Sequence, residues 1–220
     1  MTLLTGKYRV NSRKEIFLAT STTLSKKKTE IPPRDRILNA ACELFYSRGI
    51  RAVSVDEIAA AADTNKMTLY RHFESKDLLV AEYLRSLNRY AIARDEEAIR
   101  PYAGDAFKQL GALIDRYGAD LCSEDFRGCP MANAAVEFPD KDHPARVVLE
   151  ESKTTHRERI VKICREAGYI EPERLADELF LLFEGACTNV QSQGSGGPCG
   201  RFAKMAHVLI DAHPRKPARH

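Results

Sequence analysis

With 220 residues, 44% hydrophobic and 30% charged and without Trp, the chain has an ordinary globular composition and enough length for one large domain or two modest ones. Disordered and fibrous classes are excluded, and so is a membrane span, because no run of roughly 18 apolar residues occurs. The first thirty residues lack the apolar core and cleavage site of a secretory signal, so a cytoplasmic location is expected.

The net charge of +3 is unevenly spread: residues 1–34 hold eight basic side chains against Glu15 and Glu30. A basic arm, residues 1–33, therefore precedes the folded part and reads either as a phosphate-binding appendage or as a passive leader. Pro32 and Pro33 stop it. Ile37, Ala41, Leu44 and Phe45 then share one helical face, and Gly49 closes that helix. Ser54-Val55-Asp56-Glu57 is a capping box opening a second helix, with Val55, Ile58, Ala59 and Ala62 as its buried stripe. After the polar break Asp63-Thr64-Asn65, the segment Lys66–Phe73 predicts a short third helix with Leu69 and Phe73 facing inward. Ser75 caps a fourth, long helix that runs to about Arg100, where Pro101 interrupts.

The remaining half is helical in pattern as well. Phe107, Leu110, Ile114, Tyr117 and Leu121 mark one helix, and Pro130, Pro144 and Pro172 each open another. Gly194-Ser195-Gly196-Gly197 reads as a flexible linker before a last helix, Pro198 to Ala212, and residues 213–220 as a basic tail expected to fray. The fold class is thus all-α with about nine helices.

The six cysteines form no C-x-x-C pair and read as small core residues, with Cys122 and Cys129 alone placed for a thiol switch. No metal-spaced ligand set, phosphate-cradling glycine loop or nucleophile–base pair is present, so neither a cofactor nor an enzyme activity is expected. His143 reads as a helix starter and His156, among Lys153, Arg157, Glu158 and Arg159, as part of a solvated face.

Two short helices joined by a tight turn, with a third packed before them, form a helix-turn-helix, and the outward positions Lys66, Thr68, Tyr70 and His72 suit phosphates and base edges. At this point RILNAACELFYSRGIRAVSVDEIAAAADTNKMTLYRHFESKDLL closely resembles the DNA-binding domain of the TetR family of regulators. The resemblance implies a three-helix DNA-binding domain, residues 34–80, followed by a larger helical domain, 81–212, that binds an effector and dimerises. It implies DNA contacts from Ser54, Asn65, Lys66, Met67, Thr68, Tyr70, His72 and Lys76, with Asn65 either capping the helix or reaching adenine and Met67 able to touch a thymine methyl. RGCPMANAAVEFPDKDHPARV also looks like a stretch of one subset of the family's C-terminal domains, without naming a ligand.

An effector pocket is expected between long helices, with Tyr83, Leu87, Tyr90, Phe107, Leu110, Ile114, Tyr117, Met131, Phe138 and Phe183 as candidate lining, each equally a candidate for plain core. The last two long helices resemble the family's two-fold dimer pair, which points to Leu175, Leu179, Leu182, Ala186, Phe202, Met205 and Leu209 as interface candidates. The partners implied are an operator duplex, a second copy of the chain and a small-molecule effector. The competing readings are a helical enzyme, for which no catalytic set is found, and a non-sequence-specific nucleoid protein relying on the basic arm.

Overall fold

The computed structural model describes residues 31–124 and 126–216. The expectations for the basic arm before residue 31 and for the last four residues of the tail lie outside the described residues. Among those described, nine α-helices and two short 3-10 turns form the molecule and no strand is present.

The helices start and stop where local chemistry dictates. Pro33 sits in the first turn of α1 (Pro33–Arg48), and Gly49, at φ +88°, ends it. Ser54 caps α2 (Val55–Ala61) with both halves of a capping box: its hydroxyl accepts from the Glu57 N–H, and the Glu57 carboxylate accepts from the Ser54 N–H at 2.8 Å. These bonds, first the backbone one and then those from the Ser54 hydroxyl and Arg48, hold the Glu57 carboxyl down at about 2. Asp63, at φ +50°, makes the sharp corner into α3 (Lys66–Phe73); Asp tolerates the left-handed region better than most side chains.

Ser75 caps α4 (Lys76–Ile99), a 3-10 turn at Arg100–Tyr102 carries Pro101, and Asp105 caps α5 (Ala106–Leu121). Then follow α6 (Pro130–Glu137), α7 (Pro144–Glu166) and α8 (Pro172–Gln193), each with proline in its first turn. His143 caps α7 as expected, its Nδ1 accepting from the Ala145 N–H at 3.1 Å. The glycine segment folds into a hydrogen-bonded turn instead of an open linker, the Gly197 N–H donating to Gly194 O at 3.3 Å. A 3-10 turn, Pro198–Arg201, leads into α9 (Phe202–Ala212).

Residues 213–216 pack back onto the helices where composition suggests an open tail. His213 Nε2 meets Glu178 Oε2 at 2.8 Å, the Ile170 N–H donates to Pro214 O at 3.0 Å, and the Arg215 guanidinium lies 4.1 Å from the Phe107 ring centre. A pairing carboxylate, a main-chain bond and an aromatic face are enough to hold a short polar segment that composition alone marks as solvated.

Two apolar cores organise these helices. The first joins α1–α3 and the first half of α4, through Leu87, to Met131 and Ala134 of α6 and Ala145, Val148 and Leu149 of α7. The second joins α5, the second half of α7, α8 and α9. The long helices α4 and α7 pack on each other and pass through both regions. Where the two cores part, the interior is left partly unfilled.

Candidate nucleic-acid interface and interior cavity

The α2–α3 pair presents its outer face to solvent while Ile58, Leu69 and Phe73 are buried against α1 and α4. Burial of Leu69 and Phe73, four apart on α3, fixes which side of the helix points outward. Met67 is 83% exposed, and Lys66, Tyr70 and Asn65 are exposed beside it. Asn65 Oδ1 accepts from the Thr68 N–H at 2.9 Å, so of its two expected roles the cap is the one occupied here. Lys66 Nζ lies 3.4 Å from Asp56, an exposed contact that a phosphate could displace at little cost.

Two of the expected DNA contacts are placed differently. Lys76 Nζ donates to the Ile50 carbonyl at 2.9 Å and lies over the Phe45 ring, so its ammonium braces the corner after α1 instead of standing free. His72 is half-buried with its Nε2 turned into the domain. The conformation of Lys76 follows from the Phe45 ring and the Ile50 carbonyl close by, which a linear motif does not display.

The interior cavity has a volume of about 210 Å³ and mostly apolar walls, contributed by α1, α4, α5, α6, α7 and α8. Leu87, Tyr90, Tyr117, Met131 and Phe183 line it. The other five candidates do not. Tyr83 packs edge-on to Phe45 in the first core, Phe107 lies beneath Arg215, Leu110 and Ile114 fill the second core, and Phe138 stacks on His143 at 4.2 Å. Their apolar periodicity was satisfied by neighbouring helices and left nothing over for a ligand.

Sequence reasoning missed the polar wall. Arg116 bridges Asp95 and Asp120, the latter at 2.7 Å, Arg94 meets Asp120 at 2.8 Å, and Lys153 meets Glu184 at 2.5 Å. His156 is not on a solvated face, a second correction: its Nε2 lies 3.0 Å from the Tyr117 hydroxyl and its ring packs against Phe180 and Phe183. Burial, with Lys153 adding to it, lowers the imidazole to about 4, so it is neutral near pH 7. A signal was present: His156 and Ser152 continue the buried stripe Val148–Ile160 at four-residue spacing.

The cavity touches the helix-turn-helix directly. Tyr46 of α1 is part of its wall, as are Pro130 and Met131 at the start of α6. At the other end of α6 the Glu137 carboxylate accepts from the Ile50 and Arg51 N–H groups, at 3.1 and 2.8 Å, gripping the corner between α1 and α2. The Arg127 guanidinium donates to Ser47 O, and its N–H donates to the Tyr46 hydroxyl at 3.0 Å.

The subunit-contact candidates also need correction. Leu175, Leu179, Ala186 and Phe202 are buried in the second core, where they pack this chain's own helices together. Leu182 and Leu209 are partly buried against the same core. Of the seven, Met205 is exposed, as are Leu181 of α8 and Val208 of α9 at 69% and 62%.

A helix-turn-helix with an outward polar recognition face, fused to a helical body that encloses a cavity, defines a DNA-binding transcriptional regulator. Residues 37–83 match the family described as bacterial regulatory proteins, tetR family, and residues 106–206 match the tetracyclin repressor-like C-terminal domain. A chain from Bacillus subtilis, the uncharacterized HTH-type transcriptional regulator YvkB, is 37% identical over 152 residues, covering 64% of this chain and 76% of its own. The HTH-type transcriptional repressor DhaR of Mycobacterium sp. is 25% identical over 191 residues, covering 81% and 92%. The crystal structure of a TetR-family transcriptional regulator from Streptomyces coelicolor superposes with a TM-score of 0.76 at 27% identity, covering 81% of this chain and 94% of that one. The chain belongs to the TetR family of transcriptional regulators.

Proposed function

We propose that this regulator is a ligand-responsive repressor working in the cytoplasm: it binds a palindromic operator as a homodimer and lets go when a small molecule fills the cavity. The observation that carries the reading is the shared wall. Tyr46, in the last turn of α1, lines the cavity, and α6 reaches from the cavity at Pro130 to the α1–α2 corner at Glu137. A ligand that displaces Pro130 and Met131 therefore moves the group that holds Ile50 and Arg51, and with them the entry to α2. DNA is bound by one orientation of that domain, so occupancy and operator affinity become linked.

On this reading Lys66, Met67, Thr68 and Tyr70 enter the major groove, and Ser54 and Asn65 meet the backbone next to it. Two such helices in a two-fold dimer read half-sites about 34 Å apart. Repression, the mode named for DhaR, is the simplest outcome of a protein that occupies an operator only when empty.

Replacing Lys66 and Thr68 together by Ala tests the recognition face. Loss of two contacts of about 1–3 kcal/mol each predicts at least a tenfold fall in affinity for the selected operator, with the fold and subunit state intact. A gel-shift titration giving the parental affinity would overturn the assignment. Selection from random duplexes should return a palindrome; an unspecific pool, with palindromic and scrambled duplexes bound alike and both released as salt is raised, would favour the nucleoid alternative instead.

A further inference from the structure

Charge inventory narrows what can occupy the cavity. Its wall carries four cations, Arg94, Arg116, Lys153 and Arg159, against three carboxylates, Asp95, Asp120 and Glu184. Each carboxylate is already taken. Asp120 is shared by Arg94 and Arg116, Glu184 holds Lys153, and Asp95 receives Arg116 and the Tyr117 hydroxyl. Arg159 is the remainder. Its nearest carboxylate oxygen is Asp95 Oδ2 at 4.0 Å, beyond hydrogen-bond reach, although its side chain is only 19% exposed. No hydrogen bond from its guanidinium is formed among the described residues.

A guanidinium offers five N–H donors in a planar fork suited to a carboxylate, and Arg159, 4.0 Å from an Asp95 carboxylate that Arg116 already shares, leaves that fork without a bidentate anion. We propose that the cavity takes a small monoanion, an aryl or alkyl carboxylate whose apolar body lies among Tyr90, Phe126 and Phe183 and whose carboxylate pairs with Arg159. This rests on the reading of the cavity as the effector site. A cationic ligand would have to compete for a carboxylate with Lys153 or Arg116, and a neutral one would leave the surplus charge in place. His156, neutral near pH 7, adds no charge to the balance and leaves the wall one positive charge in excess.

Three probes of similar shape separate the possibilities: phenylacetate, phenylacetamide and benzyltrimethylammonium, titrated calorimetrically into the full chain. Phenylacetate should bind at least about tenfold more tightly than the amide, the scale of one charge-assisted hydrogen bond, and the ammonium should give no saturable heat. Arg159→Gln should bring phenylacetate to the affinity of the amide while leaving the amide unchanged. Equal binding of acid and amide, or a preference for the ammonium, overturns the proposal.

A second measurement needs no ligand. Arg159→Leu should raise the melting temperature of the empty protein, because it removes the wall's one positive charge in excess, whereas Glu184→Gln should lower it. An unchanged or lower value for Arg159→Leu overturns the proposal even if none of the three probes fits. The effector reading fails separately, if phenylacetate saturates the cavity and the operator complex is unaffected.

Discussion

His156 shows at the scale of one residue how position outweighs neighbourhood. Its sequence neighbours Lys153, Arg157, Glu158 and Arg159 are charged, yet its ring lies against Phe180 and Phe183 and its Nε2 reaches Tyr117. Residues on one helix face are separated by three or four positions, so a charged local window says little about the face itself. The lowered imidazole value has a consequence for stability. The unfolded chain binds a proton on His156 near pH 6.5, while the folded one resists until about 4. Between those values the unfolded state carries more protons, so stability falls as the pH is lowered through that window, by at most about 1.4 kcal/mol per pH unit. His156→Gln should flatten this part of the stability curve, read from urea midpoints at pH 4.5, 5.5 and 7. An undiminished slope would show that the proton is taken up elsewhere.

At the scale of the helix, the ends were legible and the joints were not. Ser54, Asn65, Ser75 and the three prolines at Pro130, Pro144 and Pro172 announce helix starts because capping chemistry is local, needing only a side chain and the next turn's N–H groups. Ser54→Ala should accordingly cost about 1 kcal/mol, measurable as a lower denaturation midpoint. The α6 joint is different in kind. Glu137 meets Ile50 and Arg51 across more than eighty residues, and only the folded chain brings them together. Both carboxylate oxygens accept from main-chain N–H groups there, so Glu137→Gln, which turns one acceptor into a donor, opposes N–H to N–H at one of them. If the joint carries the signal, this variant still binds the effector but loses most of the change in operator affinity that the effector causes, a coupling factor of typically about 5- to 150-fold. Fluorescence anisotropy of a labelled operator, with and without ligand, measures that factor directly. An unaltered factor would move the transmission route to α4.

For the whole molecule, the general plan was visible in the sequence: a helix-turn-helix whose motif is continuous, then helices with one apolar face each. What was not visible was which apolar positions serve the subunit and which are left over. Leu175 and Leu179 of α8 and Phe202 of α9 have the same hydrophobic character as Leu181, Met205 and Val208, but the first three close the second core and the last three face solvent. Only packing distinguishes them. Along α8 the exposed positions Leu181, Gly185 and Thr188 share a face, and no atom outside its own helix lies within 4 Å of where a Gly185 side chain would start. On α9, which packs against α8, Met205 and Val208 are exposed three apart. An apolar strip with a glycine at its centre allows two helix pairs to approach closely about a two-fold axis, where each copy supplies the same strip to the other. The double variant Leu181→Glu, Val208→Glu should therefore convert a dimer to a monomer, followed by light scattering behind size exclusion, with the far-ultraviolet helical signal retained because neither side chain belongs to the subunit core. Each monomer would reach one half-site, so operator binding should fall steeply while affinity for a single half-site stays the same. A variant that remains dimeric would place the subunit contact on another face.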